Sequence, residues 1–217
     1  MAHLKLLLLL LWAGVTVSMV VDLHKRIIGG QECLNTERQY HVILVQSNGT
    51  NETFCGGSLI HKQWVLTAAH CWKGVKWTLT AFLGLHPRTG QAQAAQISLK
   101  VPYVHKGIAH DIMLLKLSAP SQIKPVTLPV YTLQCAVTAV VACPPHNRPG
   151  HVFCGQRAGV DICLVSGDSG GGVVYNNRLH GVISFTCDGD HACTEPAGFM
   201  NVCSYLGWIQ NTIRSNK

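Results

Sequence analysis

Three short stretches carry, in chain order, the side chains that nucleophilic acyl transfer needs. TAAHC at 67–71 sets His70 beside a cysteine at the end of an apolar run, and HDIMLLKL at 110–117 sets Asp111 at the mouth of another. GDSGG at 167–171 sets Ser169 among glycines, which permit close backbone approach and unusual dihedrals. A serine hydroxyl becomes a useful nucleophile when a neighbouring imidazole takes its proton, and a carboxylate holds that imidazole in the required tautomer. Singly, each piece is weak, because a lone His or Asp is usually a surface or satisfied core group. Together, and preceded by Lys25-Arg26 directly before IIGG at 27–30, they form a coherent chemical pattern.

The elements that must position these groups read as strands. HVILVQ (41–46), GGSLI (56–60), WVLTAA (64–69), WTLTAFL (77–83), QISLKVPYV (96–104) and DIMLLKL (111–117) are short apolar, β-branched runs between turn residues. SAPSQIKPVTLP (118–129) contains the prolines of a boundary. CAVTAVVAC (135–143), HVFCG (151–155), GGVVYN (171–176), RLHGVISF (178–185) and GFMNVCS (198–204) supply five further candidates. Tyr205, Trp208, Ile209 and Ile213 then repeat at helical spacing. The pattern predicts an all-β molecule with a C-terminal α-helix over 205–215.

Residues 1–26 stand apart. Lys5, the apolar run of 6–17 and the small residues Thr16 and Ser18 have the layout of a signal peptide cleaved after residue 18. The run is shorter than the roughly 20 apolar residues a membrane helix needs. Residues 19–26 then read as an activation propeptide and 27–217 as the mature domain. All 10 cysteines lie after residue 26, and with a signal peptide present disulfides are the default. Asn48 and Asn51 open overlapping glycosylation sequons, which suit an exposed loop. The net charge of +7 is scattered singly along the chain, a solvated surface and not a nucleic-acid site.

From Arg26 onward the chain resembles the trypsin-like serine proteases, in the style of trypsins and glandular kallikreins. RIIGG, CGGSLI, VLTAAHC, DIMLLKL, GDSGG, GVISF and WIQNTI carry the resemblance. It implies two antiparallel six-stranded β-barrels, over 27–117 and 130–204, with the active site between them. His70 would be the general base, Asp111 its orienting carboxylate and Ser169 the nucleophile, with the Gly167 and Ser169 N–H groups as oxyanion hole. A cut after Arg26 would free the Ile27 amine to pair with Asp168. A buried charge is costly without a partner, so that pair would act as a folding switch. Asp161, two residues before Cys163, matches the carboxylate that receives a substrate Arg or Lys. Ser184, Phe185 and Thr186 match the strand that pairs with the substrate backbone, and Ala197 the pocket wall. The implied disulfides are Cys33–Cys135, Cys55–Cys71, Cys143–Cys154, and Cys163 with Cys193 or Cys187. Cys203 is left to be free or to pair within CDGDHAC (187–193).

The chain also departs from that family. Val130-Tyr131-Thr132 joins LP (128–129) to LQC (133–135) where the family carries a Gly-Trp-Gly strand and a loop, so the second barrel should be short of a strand. Tyr175 stands where a cysteine partner of that segment is expected. Leu164-Val165-Ser166 lengthen the approach from Cys163 to Gly167, where one residue is usual. Thr186 and Ala197 each replace a glycine and narrow the pocket. Cys187, His191 and Cys193 have metal-binding residue types, but in an oxidising compartment a disulfide loop is the blander account, and no metal or cofactor is expected. The expectation is therefore a secreted, extracellular, monomeric endopeptidase made as a zymogen. Its partners would be protein or peptide substrates and protease inhibitors, with no nucleic acid, and no membrane after signal cleavage. The alternative is a catalytically weak homologue acting as a binding protein.

Overall fold

The computed structural model describes residues 33–86, 92–129, 140–143, 149–156, 168–185 and 196–216. The expected signal peptide, propeptide, Arg26 and Ile27 lie outside them, as do Cys135, Asp161, Cys163, Gly167, Thr186 and Cys193.

Alternation in HVILVQS gives β1 (His41–Ser47), which buries Val42, Leu44 and Gln46 and turns the intervening side chains outward. β2 (Glu52–His61) and β3 (Trp64–Thr67) follow, then β4 (Thr78–Leu83), β5 (Gln93–His105) and β6 (Ile108–Leu117). They close into a barrel in the order β1-β2-β3-β6-β5-β4, with β4 returning to β1 from Val42↔Leu83 to Ser47↔Thr78. Register shifts at Leu59/His61, Ile97/Leu99 and Pro102/Val104 supply the local bends that closure requires.

Among the described residues the second half is a sheet of five strands: β7 (Val140–Val141), β8 (Val152–Gly155), β9 (Gly172–Tyr175), β10 (Arg178–Phe185) and β11 (Ala197–Asn201), ordered β7-β8-β11-β10-β9. Of the run CAVTAVVAC, the described strand is Val140–Val141. After Asn201 the chain leaves the sheet in a 3-10 turn, Val202–Tyr205, whose first N–H groups are capped by the Asn201 side chain at Cys203 N, 3.2 Å. Helix α1 (Leu206–Ser215) then buries Ile209 of the expected stripe together with Leu206, with Trp208 and Ile213 partly buried against the core. One continuous core joins barrel residues such as Leu66 and Leu114 to Leu179, Val182, Met200 and Ile209 of the second half. No described helix is long and apolar enough to cross a membrane.

Disulfides Cys55–Cys71 and Cys143–Cys154 form as expected. Cys203 is also disulfide-bonded, to a cysteine outside the described residues. Cys33 departs from expectation: its thiol is free and exposed, so no bridge joins it to Cys135. It sits at the outer end of the 33–40 stretch, next to the exposed Leu34.

Candidate active site

β3 delivers its chain end to a 3-10 turn, Ala69–Cys71, closed by Cys71 N–H to Ala68 O and Trp72 N–H to Ala69 O. The Cys55–Cys71 disulfide fastens this turn to β2. His70 therefore projects from a short, doubly anchored corner. Asp111, on β6, is 8% exposed and meets it there: His70 Nδ1 lies 2.8 Å from Oδ2 and 3.1 Å from Oδ1. The His70 backbone N–H donates to Oδ1 at 2.9 Å. A carboxylate accepts only, so the imidazole proton resides on Nδ1 and Nε2 is left as the basic nitrogen. The ring itself is 34% exposed and so open to a reactant.

A third donor comes from the second half. Ser184 Oγ, buried on β10, donates to Asp111 Oδ2 at 2.6 Å. Burial by itself would raise the Asp111 carboxyl. Hydrogen bonding and charge from His70, then the Ser184 hydroxyl and the His70 backbone N–H, outweigh it and hold the group below its ordinary value.

Ser169 sits in the turn that precedes β9, and the barrel positions that turn. Gly56 N–H, on β2, donates to Ser169 O at 2.7 Å, while Gly170 N–H donates to Ile183 O at 2.8 Å and Gly171 N–H to Asp168 O at 3.0 Å. Gly170 has φ +80, and a Cβ there would strike Thr67 Oγ1 and lie 2.5 Å from Gly56 O. Only glycine fits that seam without strain. Cys71 Sγ touches both partners, 3.6 Å from Ser169 O and 4.0 Å from His70 Nε2. It is half of a disulfide, has no proton to donate, and acts as packing between them. Among the described residues no hydrogen bond joins Ser169 Oγ to His70. Unliganded catalytic contacts are often long and tighten when substrate binds.

The remaining expected residues fall as follows. Asp168 is partly buried in the serine turn. Phe185 is half-buried and pairs with Gly198, where a Cβ would collide with its ring. Ala197 begins β11 opposite Gly155 and is buried. Asn48 and Asn51 are both exposed in the β1–β2 turn, where Asn48 Oδ1 accepts from the N–H groups of Thr50 at 3.0 Å and Asn51 at 2.8 Å. Cys55, His70 and Cys71 lie close enough to hold a metal, yet both sulfurs are spent in their disulfide. Ser184 was expected from its strand alone. Its bond to Asp111 is a tertiary contact, and the signal for it in the sequence is a lone serine in the apolar run GVISF.

A closed antiparallel barrel, a second sheet, a C-terminal helix and a seam that carries serine, histidine and carboxylate are those of the chymotrypsin fold. The Trypsin family model matches residues 27–151 and 130–209, and the chain belongs to this family of serine endopeptidases. Human Kallikrein-5 is 31% identical over 90% of this chain and 79% of its own length. Rat Serine protease 1 is 30% identical over 97% of this chain and 99% of its own. The latter alignment spans 253 positions against a chain of 217 residues, so the relative carries residues that this chain lacks. The solved structure of kallikrein-related peptidase 10 in complex with Zn2+ superposes with a TM-score of 0.65 at 26% identity, covering 85% of this chain and 100% of that one.

Proposed function

We propose that the chain is a secreted serine endopeptidase made as a zymogen. Ser169 Oγ attacks the peptide carbonyl as its proton passes to His70 Nε2. Asp111 stabilises the resulting imidazolium through Nδ1–H. The Gly167 and Ser169 N–H groups receive the oxyanion, and His70 returns the proton to the leaving amine. Water, deprotonated by the same nitrogen, releases the acyl-enzyme. Activation is a cut after Arg26, which frees the Ile27 amine to pair with Asp168. Asp161 takes an Arg or Lys side chain in a pocket bordered by Ser184, Phe185, Thr186 and Ala197. Asn48 and Asn51 carry glycan.

The observation that carries this reading is the orientation of His70. Its Nδ1–H is fixed by a carboxylate with three donors, leaving the basic nitrogen on an accessible ring beside the serine turn. Family membership supports the same chemistry. To test it, purified proform is cleaved after Arg26 and treated with a fluorophosphonate probe. Labelling is expected in the cleaved protein and not in Ser169→Ala. A folded, cleaved sample that takes no label overturns the catalytic reading and leaves the binding role.

A further inference from the structure

Asp111 and its neighbour His110 are adjacent on β6 and face opposite ways, so the second half grips this strand from both sides. On one face Ser184 holds Asp111. On the other, His110 Nδ1 lies 2.9 Å from the hydroxyl of Tyr205, a buried phenol at the end of the 3-10 turn. The backbone N–H of His151, just before β8, donates to that same oxygen at 3.0 Å. The phenol oxygen accepts from the His151 N–H, and because Tyr205 is buried its own proton needs an acceptor; among the described residues His110 Nδ1 is the one within reach. That nitrogen accepts only when the imidazole is neutral with its proton on Nε2.

The surroundings leave this link little room to rearrange. Gly150 has φ +122, and a Cβ there would come within 2.7 Å of the Tyr205 hydroxyl and 3.0 Å of His110 Nδ1. Tyr103 of β5 closes the other side, its ring 5.0 Å from both His110 and Tyr205. The ionisable groups around His110 are His151 before β8, its ring centroid 6.4 Å away, His105 stacked on Tyr103, Tyr103 itself, Tyr205, and Asp111 next in the chain. A proton on His110 thus meets two more histidines, and Asp111 is already committed to His70 and Ser184. Burial, then His151, then His105 all depress the His110 imidazole. Burial likewise raises the Tyr205 phenol, which keeps its proton and its donor role.

We propose that His110 is a positioning residue: in its neutral form it latches β6 through Tyr205 to the second half, and its protonation releases Asp111 from register with Ser184. The proposal rests on Asp111 serving the catalytic histidine. Acid then disables the enzyme through a protonation at His110, remote from the reacting groups. The sign follows from the depressed imidazole. The latch is intact above the unfolded histidine value, and its stability is lost as pH falls through the lower folded value.

The test compares wild type with His110→Asn, whose amide oxygen reaches the same place and accepts from Tyr205 without titrating. Fluorophosphonate labelling rates of the cleaved proteins are followed against pH, each normalised to its own alkaline plateau. The wild-type acid limb should be steeper than that of His110→Asn by about tenfold per pH unit once His110 titrates. Thermal unfolding in a Ser169→Ala background gives a reading independent of turnover. There the melting temperature should drop between pH 7 and 5 more with His110 present than with the His110→Asn substitution added. Identical limbs and identical melting profiles overturn the latch. Absence of labelling in every form at every pH overturns the endopeptidase reading and with it the positioning role, whatever the melting curves show.

Discussion

β1 hydrogen-bonds both β2 and β4, so the first six strands come back to where they began. The second five do not: β7 and β9 stand at opposite ends of their sheet, and among the described residues neither has a second neighbour. The edge at β9 is marked by the exposed Tyr175 and borders a cavity of about 590 Å³ lined by Tyr40, Lys124, Val174 and Asn177, none of them a site residue. The residues of the proposed site divide along the same line. His70 and Asp111 come from the closed half, while Ser169 and Ser184 come from the open one. The open half is nevertheless positioned at the seam, where Gly56, Thr67 and Asp111 of the barrel hold the Ser169 turn and Ser184 by short hydrogen bonds and glycine packing. An open sheet can thus leave its far edges unpaired and still hold the side that faces the barrel.

The sharpest way to break this comparison is at the carboxylate. Asp111→Asn in the activated protein should lower kcat about 10⁴-fold, because an amide can no longer hold the productive His70 tautomer. A much smaller loss would mean that Ser184 and the His70 backbone position the imidazole without it. Next in size is the contrast between cores. Leu114→Ala, in the closed barrel, should cost about 2–5 kcal/mol by urea denaturation, and Val174→Ala, half-buried on the edge strand, under about 1.5 kcal/mol. Equal costs would show that the sheet is as tightly built as the barrel.

The disulfides sharpen the contrast further. Removing Cys55–Cys71, which closes a 16-residue separation beside His70, should cost about 3 kcal/mol, whereas Cys33→Ser should stay within about 0.5 kcal/mol. Thermal melts of both variants under oxidising conditions check this, and a large Cys33 effect would point to a bridge in solution. The smallest expected effect is in acid. Asp111 titrates below its ordinary value when folded, so its contribution is present above the unfolded carboxyl value and disappears as pH falls through the folded one. The gap in melting temperature between wild type and Asp111→Asn should therefore narrow as pH falls below about 4.

The described elements lie close to the apolar runs that announce them. RLHGVISF became β10 over the residues expected, because a run bounded by Asn176-Asn177 and made of apolar β-formers has few alternatives. GFMNVCS runs three residues past the end of β11, since the Asn201 side chain caps a 3-10 turn instead of extending the strand. At the site, His70 and Asp111 were legible because a base and its carboxylate announce themselves by residue type and chain order. The donor from Ser184 and the link from His110 to Tyr205 were not. The latter joins positions 95 apart in the chain, and neither residue type implies the other.

Sequence alone determined the strand periodicity, the glycines of the serine turn, the shortened second half and the order of reactive side chains, all of which are local facts. Tertiary structure alone decided that the barrel closes, that Cys33 stays unbridged, and that β6 is gripped on both faces. Those outcomes depend on which distant groups arrive within about 3 Å of one another, and hydrogen bonds at that range are set by packing, which no local pattern encodes.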